Sequence, residues 1–384
     1  MTWEHLLDNN ITTLEQLMKY ARIPFKETLR IKKVIERHPM SITPYYASLI
    51  NWKDANDPLL RMSVPAGGEM DLAGTYDTSG ERENTKMPGL QHKYAQTALI
   101  LVTNRCALYC RYCFRKRLVG LPTSEIMSRF QDAVAYIHDH REINNVLISG
   151  GDPFVLPTGM LERFLKAFER IKHVDFIRFG TKVPVSFPQR ILKDRSLLKA
   201  LKHHSRPDRR VYVVTQFNHP REITPESVQA VSMLLDAGVV INNQTVLLKQ
   251  VNDDPKTLAV LMEGLVRIGV NPYYVFQCRP VKRVKRRFEE SLYRGYHIVE
   301  AAKKLLNGHS KRFKYVMSHK TGKIEIVGIN GKDMYFKYHQ ARDERNAGKF
   351  FKRRLDKNAG WLDDLHEHHF LSGILPEQIR ALFT

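Results

Sequence analysis

The chain has 384 residues, 43% of them hydrophobic, which is enough for a sizeable core built as one large domain with extensions. No apolar run approaches the length of a membrane span, and the start Met1-Thr2-Trp3-Glu4-His5 lacks the basic-then-apolar pattern of a signal peptide. These features predict a cytoplasmic protein. The formal net charge of +21 fits a nucleic-acid partner, an anionic substrate, or a soluble protein with several basic pockets, and the last is the plainest reading.

In chain order, residues 1–40 predict short helices, with Leu14, Leu17 and Met18, then Leu29, Ile31 and Val34, at helical spacing and Thr12 or Thr13 as a cap. Such a segment packs on the next domain or on a second subunit. Residues 65–90 are rich in Gly, Asp, Thr and Glu and predict a loop, which Gly89-Leu90-Gln91-His92-Lys93-Tyr94 closes. Thr97-Ala98-Leu99-Ile100-Leu101-Val102 predicts a buried strand. It leads directly into Cys106-x3-Cys110-x2-Cys113, which holds three of the four cysteines. Three thiolates on one tight loop can bind three irons of a [4Fe–4S] cluster and leave the fourth iron open. A structural zinc site wants a fourth Cys or His nearby, and a disulfide would leave one cysteine over.

Strand and helix patterns then alternate. Helices are predicted over 124–141, 157–172, 188–203, 224–237 and 254–269. Strands are predicted over 146–148, 176–179, 211–214, 239–241 and 273–276. With the strand before the cysteines this makes six, too few for a closed eight-stranded barrel. Polar and glycine residues collect at the strand ends: Ser149-Gly150-Gly151-Asp152-Pro153, Gly180-Thr181-Lys182, Gln216-Phe217-Asn218-His219 and Asn242-Asn243-Gln244-Thr245. Cys278 and Arg279 end the sixth strand. The run Pro280 to Arg287 is a basic loop, fit for an anion-attracting lid, a nucleic-acid patch or a solvated surface. A helix over 289–306 precedes Tyr315-Val316-Met317-Ser318-His319-Lys320-Thr321-Gly322-Lys323. Residues 333–384 are basic and aromatic, then end in an apolar helix with Ile374, Ile379 and Leu382, suited to docking on a second subunit.

The cysteine spacing, with Tyr112 before the last cysteine, resembles the radical S-adenosylmethionine (SAM) superfamily. Cys113-Phe114-Arg115-Lys116-Arg117 is similar to the lysine 2,3-aminomutase family, and the likeness runs from about residue 41 to 328. The resemblance implies an α/β fold: a partial (β/α)6 barrel with a helical N-terminal extension (1–93), the barrel (94–280) and a C-terminal segment carrying the pyridoxal phosphate (PLP) lysine (281–384). It implies three cofactors, a [4Fe–4S] cluster on Cys106, Cys110 and Cys113, SAM, and PLP as a Schiff base on Lys323. Lys93 would grip the PLP phosphate, although the family's second arginine, four positions on, is Thr97 here. Tyr112, Gly150, Gly151, Asp152, Gln216, Asn218, His219, Asn243 and Gln244 would surround SAM and its neighbours. Arg115 would hold the substrate α-carboxylate through its guanidinium fork. The implied partners are a small amino acid, an electron donor of flavodoxin or ferredoxin type and a second copy of the chain, with neither nucleic acid nor membrane. Some aminomutases carry a zinc site between subunits; no cysteine follows Cys278, so none is expected here.

The implied reaction moves an amino group from Cα to Cβ. Lysine aminomutases place an aspartate after the Gln-Cys pair and another shortly before the PLP lysine. This chain has Arg279 and the acid-free Met317-Ser318-His319-Lys320, which point to an acidic or uncharged substrate such as glutamate. Lysine itself, with Glu289 or Glu290 swinging in, stays open, as does a radical SAM enzyme acting on a protein lysine or on RNA.

Overall fold

The computed structural model describes residues 2–365, so the expected apolar helix around Ile374, Ile379 and Leu382 lies outside the described residues. Twelve strands hydrogen-bond into one sheet in sequence order. They are β1 (Thr85–Met87), β2 (Leu90–Tyr94), β3 (Thr97–Thr103), β4 (Asn145–Gly150), β5 (Phe176–Gly180), β6 (Val211–Thr215), β7 (Val240–Leu247), β8 (Asn271–Gln277), β9 (Lys314–His319), β10 (Gly322–Asn330), β11 (Asp333–Ala341) and β12 (Phe350–Arg354). Strands β3 to β8 pair in parallel and form the six-stranded partial barrel. The sheet is not closed: β1 and β12 are its two edges.

Parallel neighbours need a crossover, and the intervening helices provide it. Each helix buries one stripe. In Thr158–Glu169 the buried residues are Leu161, Phe164, Leu165 and Phe168, the spacing of one helical face. Their starts are capped. Thr224 accepts from the Ser227 amide and Asp254 from the Thr257 amide, each followed by proline in the first turn. The expected single helix over 188–203 is two, Gln189–Leu192 and Arg195–His204, because Asp194 caps a fresh start through the amides of Ser196 and Leu197.

Two departures from the sequence reading shape the site. A seventh parallel strand, β9, follows β8 after the helix Leu292–Lys304, and β10 to β12 then return antiparallel. The sheet is therefore continuous past residue 280, and residue 93 falls inside β2. Residues 65–90, expected as a loop, hold the 3-10 turn Gly67–Met70, the short helix Glu81–Asn84 and β1. Two of their three glutamates, Glu69 and Glu81, are buried, and Glu83 is exposed.

Glu69 is fully buried and meets three cations: Arg111 Nη2 at 2.7 Å, Lys116 Nζ at 2.6 Å and Arg287 Nη1 at 3.1 Å. These attractions outweigh the desolvation that would raise its pKa, so Glu69 stays ionised well below the usual carboxylate range. The basic loop after β8 is accordingly not a free patch. Arg287 is spent on Glu69, Arg283 donates to the Glu69 carbonyl at 3.0 Å, Arg286 pairs with Asp71 at 3.1 Å and Lys285 lies 3.5 Å from Asp364.

Removing one partner of a buried ion pair costs about 3–5 kcal/mol, because the other charges stay buried without compensation. Glu69→Ala strands three. Its midpoint of thermal unfolding should fall by several degrees or more, and reconstituted iron content should fall with it. An unchanged midpoint would show that the three cations find other partners.

Candidate active site

A cavity of about 400 Å³ opens inside the arc of strands. At one end stand Cys106, Cys110 and Cys113, all on the wall and all free thiols. The loop that carries them is fixed by its backbone: the Tyr109 amide donates to the Ser41 carbonyl at 2.9 Å and Arg111 to Met62 at 2.8 Å. Asn10 Nδ2 also holds the Ala107 carbonyl at 2.8 Å. The N-terminal helices thus pack on the cysteine loop. Burial pushes the Cys113 thiol up to about 11 and Cys106 well above its ordinary range, so thiolate forms here only when a metal takes the sulfur.

Among the described residues no three His, Cys, Asp or Glu side chains are grouped to hold a single metal ion. A cluster makes a different demand: each cysteine binds its own iron, so the sulfurs stand apart. Three free thiols on one loop, facing a cavity, fit that demand. Cys278 also lines the cavity, but its environment is Glu289 and Arg279, not the other thiols.

Gly150, Gly151 and Asp152 lie against the cysteine loop. The Gly151 amide donates to the Thr103 carbonyl at 2.5 Å and the Asp152 amide to Arg105 at 2.8 Å. A Cβ at Gly151 would collide with the Arg105 backbone. Gly150, Gly151 and Asp152 also line the cavity, while the amides of Gly151 and Asp152 are taken by the loop that carries the thiols. The Asp152 carboxylate accepts from the amides of Phe154 at 3.0 Å and Lys182 at 2.8 Å, and burial raises it to about 6.

The row of strand-end amides divides. Gln216 and Gln244 line the cavity, and Tyr112 donates to Gln216 Oε1 at 3.0 Å. Asn218, His219 and Asn243 do not line it. Asn218 donates to the Tyr112 hydroxyl at 2.6 Å and accepts from the Val246 amide at 2.8 Å. Asn243 braces the Phe217 amide and carbonyl at 2.7 and 3.1 Å. His219 caps a 3-10 turn through the Arg221 amide. The two asparagines are consumed in tying the end of β6 to its neighbours, and His219 caps its own turn.

At the far end sits a group of cations. Lys323, second in β10, places its ammonium 4.4 Å from the Tyr274 ring centre, and among the described residues that ammonium makes no hydrogen bond. Burial, then Arg178, Lys93 and Arg279, lower its pKa to about 7. Lys93 donates to the carbonyls of His319 at 2.6 Å and Ser79 at 3.1 Å, and burial and Arg279 lower it to about 7 as well. Arg279 stacks on Phe114 at 4.1 Å and donates from Nη1 to Ser79 Oγ at 2.8 Å, with no carboxylate within ion-pair distance among the described residues. Arg178 on β5 is a cation that the sequence reading missed. Its Nε donates to Asn145 Oδ1 at 2.8 Å, and it too has no acid partner among the described residues. The only signal in the sequence was an arginine in an otherwise apolar strand. Arg115 is held by Glu81 at 3.0 Å, Ser149 Oγ at 3.2 Å and the Gly150 carbonyl at 3.1 Å. Its Nε and Nη1 are engaged, and among the described residues Nη2 makes no hydrogen bond.

A site with a cysteine trio at one end and uncompensated cations at the other suits an iron–sulfur cluster and anionic ligands, and the comparisons agree. Residues 100–261 match the family model of the radical SAM superfamily. A protein of Aquifex aeolicus named "Putative L-lysine 2,3-aminomutase" is 43% identical over 90% of this chain and 92% of its own. The L-lysine 2,3-aminomutase of Acetoanaerobium sticklandii is 37% identical over 81% of this chain and 73% of its own. The glutamate 2,3-aminomutase of Clostridioides difficile is 38% identical, covering 77% and 68%.

This chain belongs to the lysine 2,3-aminomutase family of radical SAM enzymes.

Family membership makes it an isomerase acting on a small amino acid, with a [4Fe–4S] cluster, SAM and PLP as cofactors. No helix among the described residues is long and apolar enough to cross a membrane.

The cavity makes a pH prediction. A lysine lowered by burial is neutral, and so nucleophilic, above about pH 7 rather than above its ordinary 10.5. The rate at which PLP-free enzyme takes up PLP, followed by absorbance, should rise through about pH 7 and level off near pH 8. Lys323→Ala should show no borohydride-fixed pyridoxyl group yet keep its iron. A rate still climbing at pH 9.5 would place the attachment on an exposed lysine.

Proposed function

We propose that this enzyme is a 2,3-aminomutase for an amino acid with an acidic side chain, glutamate first. The observation that carries this reading is the charge of the cavity wall. Among the described residues its only carboxylates are Glu81 and Asp152. Glu81 is paired with Arg115 and Arg117, and Asp152 with backbone amides. Neither is left to receive the ammonium of a lysine substrate. Glu289 and Glu290 are both off the wall. Glu290 accepts from the Ser291 amide and pairs with Arg294, and Glu289 is packed against Gly360, with burial raising it to about 8.

Arg279 stands on the wall with four of its five N–H donors uncommitted among the described residues and would take a side-chain carboxylate in two contacts. A like charge at 4 Å costs about 4 kcal/mol at a partly screened effective dielectric, and about 1.4 kcal/mol is tenfold in selectivity. Lys323 would hold PLP, Lys93 and Arg178 would face its phosphate, and Arg115 Nη2 would orient the substrate α-carboxylate. Tyr112, Gln216 and Gln244 would contact SAM. When bound, the reduced cluster and SAM supply a radical that takes a hydrogen from Cβ, and PLP carries the amino group as it moves from Cα. The protein holds those groups in line and keeps water out. The electron that first reduces the cluster would come from a donor of flavodoxin or ferredoxin type; because the shift is an isomerisation and the hydrogen returns to the product, that electron would not be consumed in each turnover.

The test is turnover of glutamate and lysine by enzyme reconstituted with iron, sulfide, PLP and SAM under dithionite. Glutamate should be preferred in kcat/KM by about 100-fold or more, and Arg279→Asp should reverse the order. Faster turnover of lysine by the unaltered enzyme would make it a lysine 2,3-aminomutase and end this reading.

A further inference from the structure

We propose that Ser79-Gly80-Glu81 is a strap that aims the substrate-facing arginines, with Glu81 a positioning residue for Arg115 and Ser79 one for Arg279. The inference rests on the substrate reading above for the second residue only. The strap touches three of the cations around the cavity. Glu81 Oε1 accepts from Arg115 Nε at 3.0 Å, Ser79 Oγ from Arg279 Nη1 at 2.8 Å, and the Ser79 carbonyl from Lys93 Nζ at 3.1 Å. The other Glu81 oxygen takes Arg117 Nη2 at 2.6 Å, which fixes the carboxylate from behind.

The strap keeps its shape without help from the cavity. Asp77 accepts from the amides of Glu81 at 2.8 Å and Arg82 at 3.0 Å, and Asn84 Nδ2 donates to the Gly80 carbonyl at 2.5 Å. Gly80 has φ +68°, the left-handed region, so the chain reverses there and sends Ser79 and Glu81 to different arginines.

Two consequences separate the roles. Arg115 has Nε tied to Glu81 and Nη1 tied to Ser149 and Gly150, so the carboxylate of Glu81 decides where the remaining Nη2 points. That affects every amino acid through the group they all share, the α-carboxylate. Arg279 has one nitrogen tied to Ser79 and rests its plane on Phe114, so the serine hydroxyl sets the aim of the donors that meet the side chain. That affects only substrates with an acidic end. The charges follow the same division: Glu81 compensates Arg115 and Arg117, while Arg279 keeps a net positive charge for an incoming anion.

The experiment measures dissociation constants by calorimetry on PLP-loaded, iron-reconstituted enzyme without SAM. The probes are glutamate, its α-amide, and 2-aminobutyrate, which lacks the side-chain carboxylate. In the unaltered enzyme the α-amide should bind about 30-fold more weakly than glutamate. In Glu81→Gln that ratio should shrink to about 3-fold, and Glu81→Asp should restore part of it. The preference for glutamate over 2-aminobutyrate should stay as it was. Ser79→Ala should do the reverse, cutting the second ratio by about 10-fold and leaving the first. A residue that merely stabilises the fold would lower all three affinities together and move neither ratio, and that result would overturn the proposal. If lysine proves to be the substrate, the α-acid to α-amide ratio measured with lysine and lysinamide still tests Glu81. Loss of the reading for Arg279 then does not decide the role of Glu81.

Discussion

Four cations crowd the cysteine loop, Arg111, Arg115, Lys116 and Arg117, and all four are buried or nearly so. They share two buried carboxylates, Glu69 and Glu81, both from the segment before the barrel. On this arrangement the rest of the structure depends. A loop with four like charges within seven residues would repel itself and seek water. Glu69 and Glu81 instead draw it inward and pin it against the N-terminal segment. Glu69 also takes Arg287 from beyond β8, so one carboxylate joins three distant stretches of chain. Buried pairs of this kind add little to net stability, since desolvation consumes most of the attraction. They do fix which groups meet, because a misplaced loop would leave unpaired charges underground.

The same bookkeeping of charge explains the cavity. Around the cysteines Arg111, Arg115, Lys116 and Arg117 each have an acid. At the other end Lys323, Lys93, Arg178 and Arg279 have none among the described residues, and burial depresses Lys323 and Lys93 to about 7. An uncompensated buried cation is a standing cost that an anionic ligand removes when it binds. These four cations contribute to the formal charge of +21, and a phosphate or carboxylate bound among them would offset their charge.

What could be read from the chain was what lies close together in it. The cysteine trio, the strand before it, the parallel alternation and Lys323 after its glycine all carry local patterns, and β3 to β8 appear where those patterns put them. What could not be read was whether a polar side chain faces a ligand or a neighbour. Asn218 follows the end of β6 just as Gln216 does, and Asn243 sits beside Gln244 within β7. The asparagines are spent on Tyr112, Val246 and Phe217, and the longer glutamines reach the cavity. Glu69 and Glu81 were hidden for the opposite reason. In a stretch of glycines, threonines and acids a glutamate looks solvated, and only the fold brings arginines from over thirty residues away to bury it. Strand β9 escaped because its pattern merged with the hairpin that follows.

These omissions share a cause, and it bears on substrate choice. Swapping a pocket's side chains changes what it can bind only if the neighbours do not neutralise the change. Arg279 changes the sign of the local charge because no acid answers it: Glu81, the nearest candidate, already holds two arginines, and Glu289 is neutral near pH 7 behind Gly360. A carboxylate free to swing would have let the same arginine serve as a structural counterion, and the cavity would then be indifferent to its charge. On the glutamate reading, the locked state of Glu81 would turn a single arginine into a determinant of the substrate, and the strap that locks it would belong to the site as much as the residues that line the cavity.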